Sequence, residues 1–127
     1  MIVGTGVDIM ETSRIEEALQ KHGERFVQRV CTAAEIAYCQ KFKNSAERFA
    51  ARFAAKEAAF KALGTGWSRG VRWVDVEITH DTSGKPELIL RGEAAEIARR
   101  LGVVRTAVSI SHAGRFVVAQ VLFESDG

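Results

Sequence analysis

The sequence predicts an α+β fold in which a mainly antiparallel sheet packs against one long helix. Its first half is rich in Ala, Arg, Lys and Glu, which favour helices, and its second half has short alternating apolar runs separated by turn residues. The 127 residues, 46% of them hydrophobic, are enough for one core, and neither half would bury much surface alone. We therefore expect a single domain over residues 1–127.

The opening strand has an unusual face. Residues 2–9 alternate with a period of two, and Gly4, Gly6 and Asp8 fall on the same side. We interpret the missing side chains of the glycines as open space beside Asp8.

Capping signals predict where the helices begin and end. Ser13 to Glu16 and Thr32 to Glu35 both have the spacing of a capping box. The stretch before Gly64 lacks Gly and Pro, which predicts the longest helix with that glycine as its C-terminal stop. The expected helices are 13–22, 24–30, 32–42, 45–63 and 93–101.

Two hairpins are expected in the second half. Asp81 to Pro86 and Ala113-Gly114-Arg115 have turn chemistry, and alternating or apolar runs flank both segments. The expected strands are 2–9, 74–79, 87–90, 106–111 and 116–123.

The composition argues against several classes of protein. The 18 Lys and Arg residues nearly balance the 16 Asp and Glu residues, so no strong field directs the chain to nucleic acid or to a membrane surface. We see no basic leader and no long apolar stretch, and we expect a cytoplasmic protein. Cys31 and Cys39 lack zinc-site spacing and are interpreted as buried or idle thiols.

Three charged residues are candidates for chemistry. Asp8 ends an apolar strand, and Glu57 and Lys61 are one turn apart on the long helix. An aspartate at the end of a strand, such as Asp8, is usually a turn or capping residue. A pair such as Glu57 and Lys61 is usually a weak surface ion pair. If the helix packs across the strand, Asp8 and Glu57 would converge as a hard-oxygen site suited to Mg²⁺. Spacing alone leaves both interpretations open.

Four motifs then occur in a recognisable order: Gly4 to Ile9, Phe49 to Gly66 with its Arg-Phe-Ala-Ala-Lys-Glu-Ala core, Gly84-Lys-Pro86, and Ser109-Ile-Ser-His112. Together they resemble the holo-acyl-carrier-protein synthases, the short, single-unit branch of the 4′-phosphopantetheinyl transferase superfamily. The resemblance implies that family's fold and a homotrimer with active sites at the subunit interfaces. It also implies transfer of 4′-phosphopantetheine from coenzyme A to a serine of apo-acyl carrier protein, in support of fatty acid biosynthesis.

The resemblance implies roles for individual residues. Asp8 and Glu57 would bind Mg²⁺, and Glu57, directly or through a water on the metal, would act as the base. Lys61 would carry an electrostatic role at the phosphates. Gly64-Thr65-Gly66 by itself is better explained as a helix stop, because it follows a helix and the C-terminal end of a helix repels anions. A lone His112 is more often structural. Contacts with coenzyme A are nevertheless implied for Arg52, Phe53, Lys61, Gly64, Gly66 and His112.

A docking face for the acidic carrier protein is expected on the first helical region. Basic residues recur there, although interspersed glutamates also fit an ordinary solvated surface. Two other functions stay open: a non-catalytic coenzyme A or nucleotide-binding module, and a small nucleic-acid-binding protein, for which no aromatic stacking platform is evident. The candidate docking residues are Arg14, Lys21, Arg25 and Arg29.

Overall fold

The computed structural model describes residues 1–66 and 68–127 and contains helices and strands in both halves of the chain. The helices are α1 (Thr12–His22), α2 (Glu24–Val30), α3 (Ala33–Gln40), α4 (Ser45–Leu63) and α5 (Gly92–Arg100). The strands are β1 (Ile2–Glu11), β2 (Val76–His80), β3 (Pro86–Leu90), β4 (Arg105–Ala113) and β5 (Phe116–Glu124).

The strands form two antiparallel sheets, as the α+β expectation requires. One sheet has three strands in the order β1-β5-β4, and the other pairs β2 with β3. In the larger sheet Asp8 lies opposite Ala119, and Gln120 lies opposite both Val7 and Ser109. The first strand of the chain is therefore an edge of this sheet, beside the last strand.

Two helix starts with the same sequence signal differ in the structure. At Thr32 the capping box is confirmed, since its backbone N–H donates to Glu35 Oε1 at 2.9 Å and its hydroxyl accepts from the Glu35 N–H. The predicted box from Ser13 to Glu16 is wrong, because α1 begins one residue earlier and no side chain caps it. The Thr12 N–H instead donates to the carbonyl of Arg115 at 2.8 Å.

Several boundaries differ from the prediction by one or two residues, and the following two are examples. The strand expected from residue 74 begins at Val76, because Trp73–Asp75 forms a 3₁₀ turn. The helix expected to reach residue 42 ends at Gln40. Element ends are set by local hydrogen bonds that alternation and periodicity do not determine.

The glycines of β1 allow close contact with α4 rather than leaving space. A Cβ at Gly4 would overlap the carbonyl oxygen of Ala62, and a Cβ at Gly6 would overlap that of Ala58. The interpretation of this face as open space is therefore wrong: the backbone of α4 fills it. Only residues without a side chain permit this approach, and it brings Asp8 alongside the helix.

The core lies between α4 and the two sheets. Its most buried large side chains include Phe60, Ile78 and Phe123, each at most 2% exposed. Both cysteines are buried as free thiols, and burial raises the pKa of Cys31 to about 12 and of Cys39 to about 11. Within the described ranges, no helix combines the length and the apolar character that a membrane crossing needs.

Candidate functional site

Asp8 and Lys61 meet at the edge of the contact between β1 and α4. The Lys61 Nζ donates to Asp8 Oδ1 at 3.2 Å and to the carbonyl oxygen of Val7 at 2.9 Å. The Asp8 side chain is 14% exposed and that of Lys61 is 51% exposed. The ion pair is therefore anchored at its acidic end and open to solvent at its basic end.

Glu57 lies one turn before Lys61 and is affected by the charge of Asp8. Burial raises the pKa of the Glu57 carboxyl, the Asp8 carboxylate raises it further, and the Lys61 ammonium lowers it. Lys61 is ion-paired with Asp8, so the simple alternative of a Glu57–Lys61 surface pair does not describe this site. Asp8, Glu57 and Lys61 thus form one electrostatically coupled group, which we name the carboxylate site.

One oxygen of the carboxylate site has no partner among the described residues. Asp8 Oδ2 is buried and has no hydrogen-bond partner among the described residues, an arrangement that costs free energy. A divalent cation would satisfy this oxygen and offset the repulsion between Asp8 and Glu57. No three His, Cys, Asp or Glu side chains of the described ranges are grouped to hold a metal. The two carboxylates fit Mg²⁺, which often takes one or two carboxylates together with phosphate and water.

Space for such a ligand adjoins the carboxylate site. A cavity of about 330 Å³ is lined by Lys61 and by residues of β1 and β5, namely Thr5, Gly6, Val7 and Gln120. A phosphate in this cavity would meet the Lys61 ammonium.

A second charged group lies on another side of α4, facing α3 and β2. Arg52 is 2% exposed; its guanidinium carbon lies 4.3 Å from the centre of the Tyr38 ring, and one terminal nitrogen lies 3.4 Å from His80 Nδ1. The Tyr38 and His80 rings stack at 4.6 Å. Burial lowers the pKa of His80, Arg52 and Arg48 lower it further, and Asp81 opposes them. His80 is therefore neutral near pH 7 and can accept a hydrogen bond from Arg52.

Arg48 is one turn before Arg52 and continues this group. Its guanidinium carbon lies 4.1 Å from the centre of the Phe42 ring, which is 5.2 Å from that of Tyr38. The Nε atoms of both arginines are buried without hydrogen-bond partners in the described part of the chain. Neither guanidinium forms an ion pair there. We name this group the arginine cluster: Tyr38, Phe42, Arg48, Arg52 and His80.

A third charged group is fully satisfied. Lys56 and Glu35 are 0% and 1% exposed and form an ion pair at 2.7 Å. Lys56 Nζ also donates to the carbonyl oxygens of Trp73 and Val76, and Glu35 Oε2 accepts from the backbone N–H of Ile78 at 2.9 Å. This pair connects α3, α4 and β2 directly behind Glu57.

Of the remaining predicted ligand residues, His112, Gly64 and Gly66 lie near the ends of α4, and Phe53 lies between them. His112 Nε2 is 3.5 Å from Glu47 Oε1 in the first turn of α4. Gly64, with φ of 78°, ends the helix as its left-handed cap, as the sequence predicts; Gly66 also has positive φ, at 53°. Phe53 is half-buried, with its ring 4.7 Å from that of Trp73, so much of its surface is already used in packing.

The four candidate docking residues are all exposed on α1 and α2. None of them forms an ion pair with another described residue. Arg25 and Arg29, together with His22 and Phe26, line a cavity of about 420 Å³. The surface is therefore basic, indented and without internal acidic partners.

Sequence analysis missed Arg48, His80 and the Lys56–Glu35 pair. The available signals were the four-residue spacing from Arg48 to Arg52 on a helix rich in Ala, and Glu35 in its capping box. His80 offered no signal, since its neighbours come from two other elements.

Comparison with known proteins gives a consistent assignment. Residues 4–121 match the family model described as the 4′-phosphopantetheinyl transferase superfamily. A holo-[acyl-carrier-protein] synthase from Solibacter usitatus is 50% identical over 125 residues, covering 98% of this chain and 100% of that protein.

Similar solved structures lead to the same family assignment. A holo-[acyl-carrier-protein] synthase from Neisseria meningitidis superposes with a TM-score of 0.90 at 34% identity, covering 98% of this chain and 100% of the other. The enzyme from Bacillus anthracis, described as a complex with CoA (3′,5′-ADP), has a TM-score of 0.82 at 41% identity and 99% coverage of both chains.

Proposed function

The chain belongs to the 4′-phosphopantetheinyl transferase superfamily, and we propose that it is a holo-acyl-carrier-protein synthase acting as a single domain over residues 1–127. It transfers 4′-phosphopantetheine from coenzyme A to a serine of apo-acyl carrier protein. The observation that supports a working catalyst, rather than a binding module, is the carboxylate site: Asp8, Glu57 and Lys61 are all present and coupled. We propose that it acts in the cytoplasm and supports fatty acid biosynthesis.

In the proposed reaction, the serine oxygen forms a bond to the β-phosphorus of coenzyme A. The bond from that phosphorus to the bridging oxygen breaks, and adenosine 3′,5′-bisphosphate leaves. The serine proton passes to Glu57, directly or through a water molecule.

Asp8 and Glu57 are the proposed ligands of Mg²⁺. Two observations support this: the unpartnered Asp8 Oδ2 and the repulsion that raises the pKa of Glu57. When bound, the ion would supply charge neutralisation at the pyrophosphate. Lys61 contributes a mobile positive charge, because its side chain is half exposed and reaches the same site.

Coenzyme A is proposed to contact Lys61, Gly64 and Gly66 near the C-terminal end of α4, and Arg52, Phe53 and His112 nearer its N-terminal end. Arg52 and Glu57 are five residues apart, which puts their side chains about 140° apart around a helix with 3.6 residues per turn. One ligand that touches both groups must therefore extend around the helix or be shared between two copies of the chain.

A homotrimer is proposed on the same basis, with active sites between subunits. The outer face of the larger sheet supports self-association, since Val7 is 54% and Ile9 is 64% exposed on β1. Exposed apolar side chains grouped on one sheet face are typical of interfaces. The unpaired basic residues Arg14, Lys21, Arg25 and Arg29 are proposed to dock the acidic carrier protein.

Intact-mass analysis of apo-acyl carrier protein tests the activity. The carrier protein is incubated with the wild-type chain, coenzyme A and Mg²⁺, and the mass of a phosphopantetheine adduct is expected. Asp8→Asn, Glu57→Gln or a chelator should each slow its appearance by at least about a hundredfold. Absence of an adduct with wild type, while coenzyme A still binds, would favour the binding-module alternative.

Docking is tested separately with Arg14→Glu and Lys21→Glu. These variants should slow transfer to the carrier protein and leave the affinity for coenzyme A unchanged. Arg100→Glu, at an exposed position of α5 where the arginine pairs with Glu96, serves as the charge-reversal control. Weaker coenzyme A binding by the docking variants would contradict the assignment of this surface.

A further inference from the structure

Lys56, the residue before Glu57 on α4, has a complete set of partners. Its ammonium donates to Glu35 Oε1 at 2.7 Å, to the carbonyl oxygen of Trp73 at 3.2 Å and to that of Val76 at 2.5 Å. An ammonium group has three N–H donors, so every donor of Lys56 has an acceptor. These acceptors belong to α3, to the 3₁₀ turn before β2 and to β2. The ammonium is therefore held in one place relative to three other elements of the fold.

The acidic partner is anchored as firmly. Glu35 Oε1 also accepts from the backbone N–H of Thr32, and Oε2 accepts from that of Ile78. The Thr32 hydroxyl then donates to Glu77, which forms an ion pair with Arg91 near the surface. The main acceptor of the ammonium is thus fixed by its own network, and it would not follow α4 if the helix moved.

Stability alone does not explain a lysine at this position. Taking an ion pair out of water costs free energy, and apolar residues of similar volume in place of the pair are often as stable or more stable. Methionine, for example, is flexible enough to fill the space of a lysine side chain. A buried charge that is retained nevertheless is expected to fix one arrangement of the packed elements.

The helix is held on two opposite faces at the level of Glu57. Successive residues of a helix are about 100° apart, so Lys56 and Ala58 point in nearly opposite directions, with Glu57 between them. On the side of Ala58, a Cβ at Gly6 would overlap the Ala58 carbonyl oxygen, so β1 is in close contact with the helix backbone. On the side of Lys56, the helix is tied by the three hydrogen bonds. Rotation of α4 about its axis would therefore break one of the two contacts.

We propose that Lys56 is a positioning residue for Glu57: through its three acceptors it fixes the rotation of α4, and with it the approach of the Glu57 carboxylate to Asp8. The inference rests on the proposed function, in which these two carboxylates bind Mg²⁺. A small displacement is sufficient for an effect, because moving a functional group by about 1 Å lowers a rate by about a hundredfold.

The dissociation constant for Mg²⁺ in the absence of coenzyme A tests this role. It is obtained from the rise of the melting temperature with Mg²⁺ concentration, so each variant is compared with its own melting temperature in chelator. Lys56→Met fills the same space without the ammonium, and the constant should rise by about tenfold or more. Glu35→Gln leaves the ammonium and its two carbonyl acceptors in place, and should raise the constant less.

Val27→Ala is the matched control for a loss of stability. Val27 is buried in α2, whereas the acceptors of Lys56 come from other elements. Its truncation leaves a cavity that lowers the melting temperature, and the dissociation constant for Mg²⁺ should stay at the wild-type value.

Steady-state kinetics at saturating Mg²⁺ give a second measurement. In Lys56→Met, kcat should fall by about tenfold or more while KM for coenzyme A changes little, because the defect lies in the geometry of the carboxylates. Both constants should stay near wild type in Val27→Ala. A purely structural role of Lys56 would leave kcat of the folded variant unchanged.

The outcomes distinguish this inference from the proposed function. If Lys56→Met does not fold, the double variant Lys56→Met with Glu35→Gln, which lacks the uncompensated carboxylate, takes its place with the same expectation. A wild-type dissociation constant for Mg²⁺ in the folded variant, or failure of both variants to fold, would show a structural role only and overturn the positioning role, although transfer by wild type continues. Failure of wild type to modify apo-acyl carrier protein would refute the proposed function instead, and the effect of Lys56→Met on Mg²⁺ binding would still be measured.

Discussion

Lys56 and Glu57 are neighbours on α4 and have opposite electrostatic surroundings. Lys56 is fully buried, and its ammonium has Glu35 and two backbone carbonyl groups as partners. Glu57 is half-buried beside a second carboxylate, and burial and that carboxylate raise its pKa. The side of α4 that carries Lys56 thus has a charge with all its partners, whereas the side that carries Glu57 has a carboxylate without a compensating partner.

This difference in partners distinguishes charged groups that stabilise the fold from charged groups that are available to a ligand. A buried polar group whose partners all come from its own chain can rigidify the fold. A group left with a perturbed pKa and an unpartnered neighbour, such as Asp8 Oδ2, is prepared for a ligand that the chain does not supply. On this basis we propose that the carboxylate site and the arginine cluster are binding sites, whereas the Lys56–Glu35 pair holds α4 in position.

Lys56→Met should give the largest loss of stability. Removing Lys56 leaves the Glu35 carboxylate buried and without its positive partner, which typically costs about 3–5 kcal/mol. Urea unfolding of the variant and of wild type measures the difference. The conservative double variant Lys56→Met with Glu35→Gln should recover part of the loss, because it removes the uncompensated charge. A change below about 1 kcal/mol in the single variant would place Lys56 among the marginal ion pairs.

Magnesium should stabilise the unsatisfied side of the helix. At a concentration of about 100 times the dissociation constant, the ion adds about 2.7 kcal/mol to the free energy of unfolding. The gain should decline as pH falls through the raised pKa of Glu57, at higher pH than for an ordinary carboxylate, since a protonated carboxyl binds the ion poorly.

Thermal unfolding with Mg²⁺ or a chelator, across a range of pH, measures this gain. Glu57→Gln provides the control and should show little response to the ion at any pH. An equal response in the variant would contradict the assignment of Glu57 as a ligand.

Gly6→Ala should disturb the contact that brings the carboxylate site together. The new Cβ would overlap the backbone carbonyl of Ala58, and overpacking of this kind costs about 1–3 kcal/mol. Because β1 must move away from α4, the response to Mg²⁺ should weaken as well. Thr5→Ala, at the exposed neighbouring position, is the control for the stability measurement. An unchanged response to Mg²⁺ in Gly6→Ala would mean that the site tolerates this displacement.

Local signals in the sequence predicted some of these features and failed on others. The Thr32 capping box formed because both of its partners are three residues apart. The Ser13 box did not form, because α1 begins at Thr12 and Ser13 therefore lies inside the helix; the Thr12 N–H donates to a distant carbonyl in the β4–β5 turn. A capping motif acts only where the helix starts at its first residue, and contacts with remote parts of the chain can shift that start.

The sites show the same division. Asp8 and Glu57 could be proposed as partners because one ends an apolar strand and the other lies beside the aromatic face of the longest helix. Their separation in the sequence could not show that they lie close together. The Lys56–Glu35 pair and the contact of Arg52 with His80 join positions 21 and 28 residues apart. Such contacts depend on how α3 and β2 pack against α4, and no period in the sequence encodes that packing.

His80→Asn should have the smallest effect, visible only in the pH dependence of stability. The pKa of His80 is lowered in the folded protein, chiefly by burial and then by Arg52 and Arg48. As pH falls, the unfolded chain therefore binds the proton first, and stability is lost from the unfolded pKa of about 6.5 down through the lowered folded value. The variant lacks this contribution. Unfolding free energies compared between about pH 8 and about pH 5 should thus decline less steeply for His80→Asn than for wild type. Parallel curves would mean that the arginines do not hold His80 neutral, and the cluster would then lack the acceptor that orients Arg52.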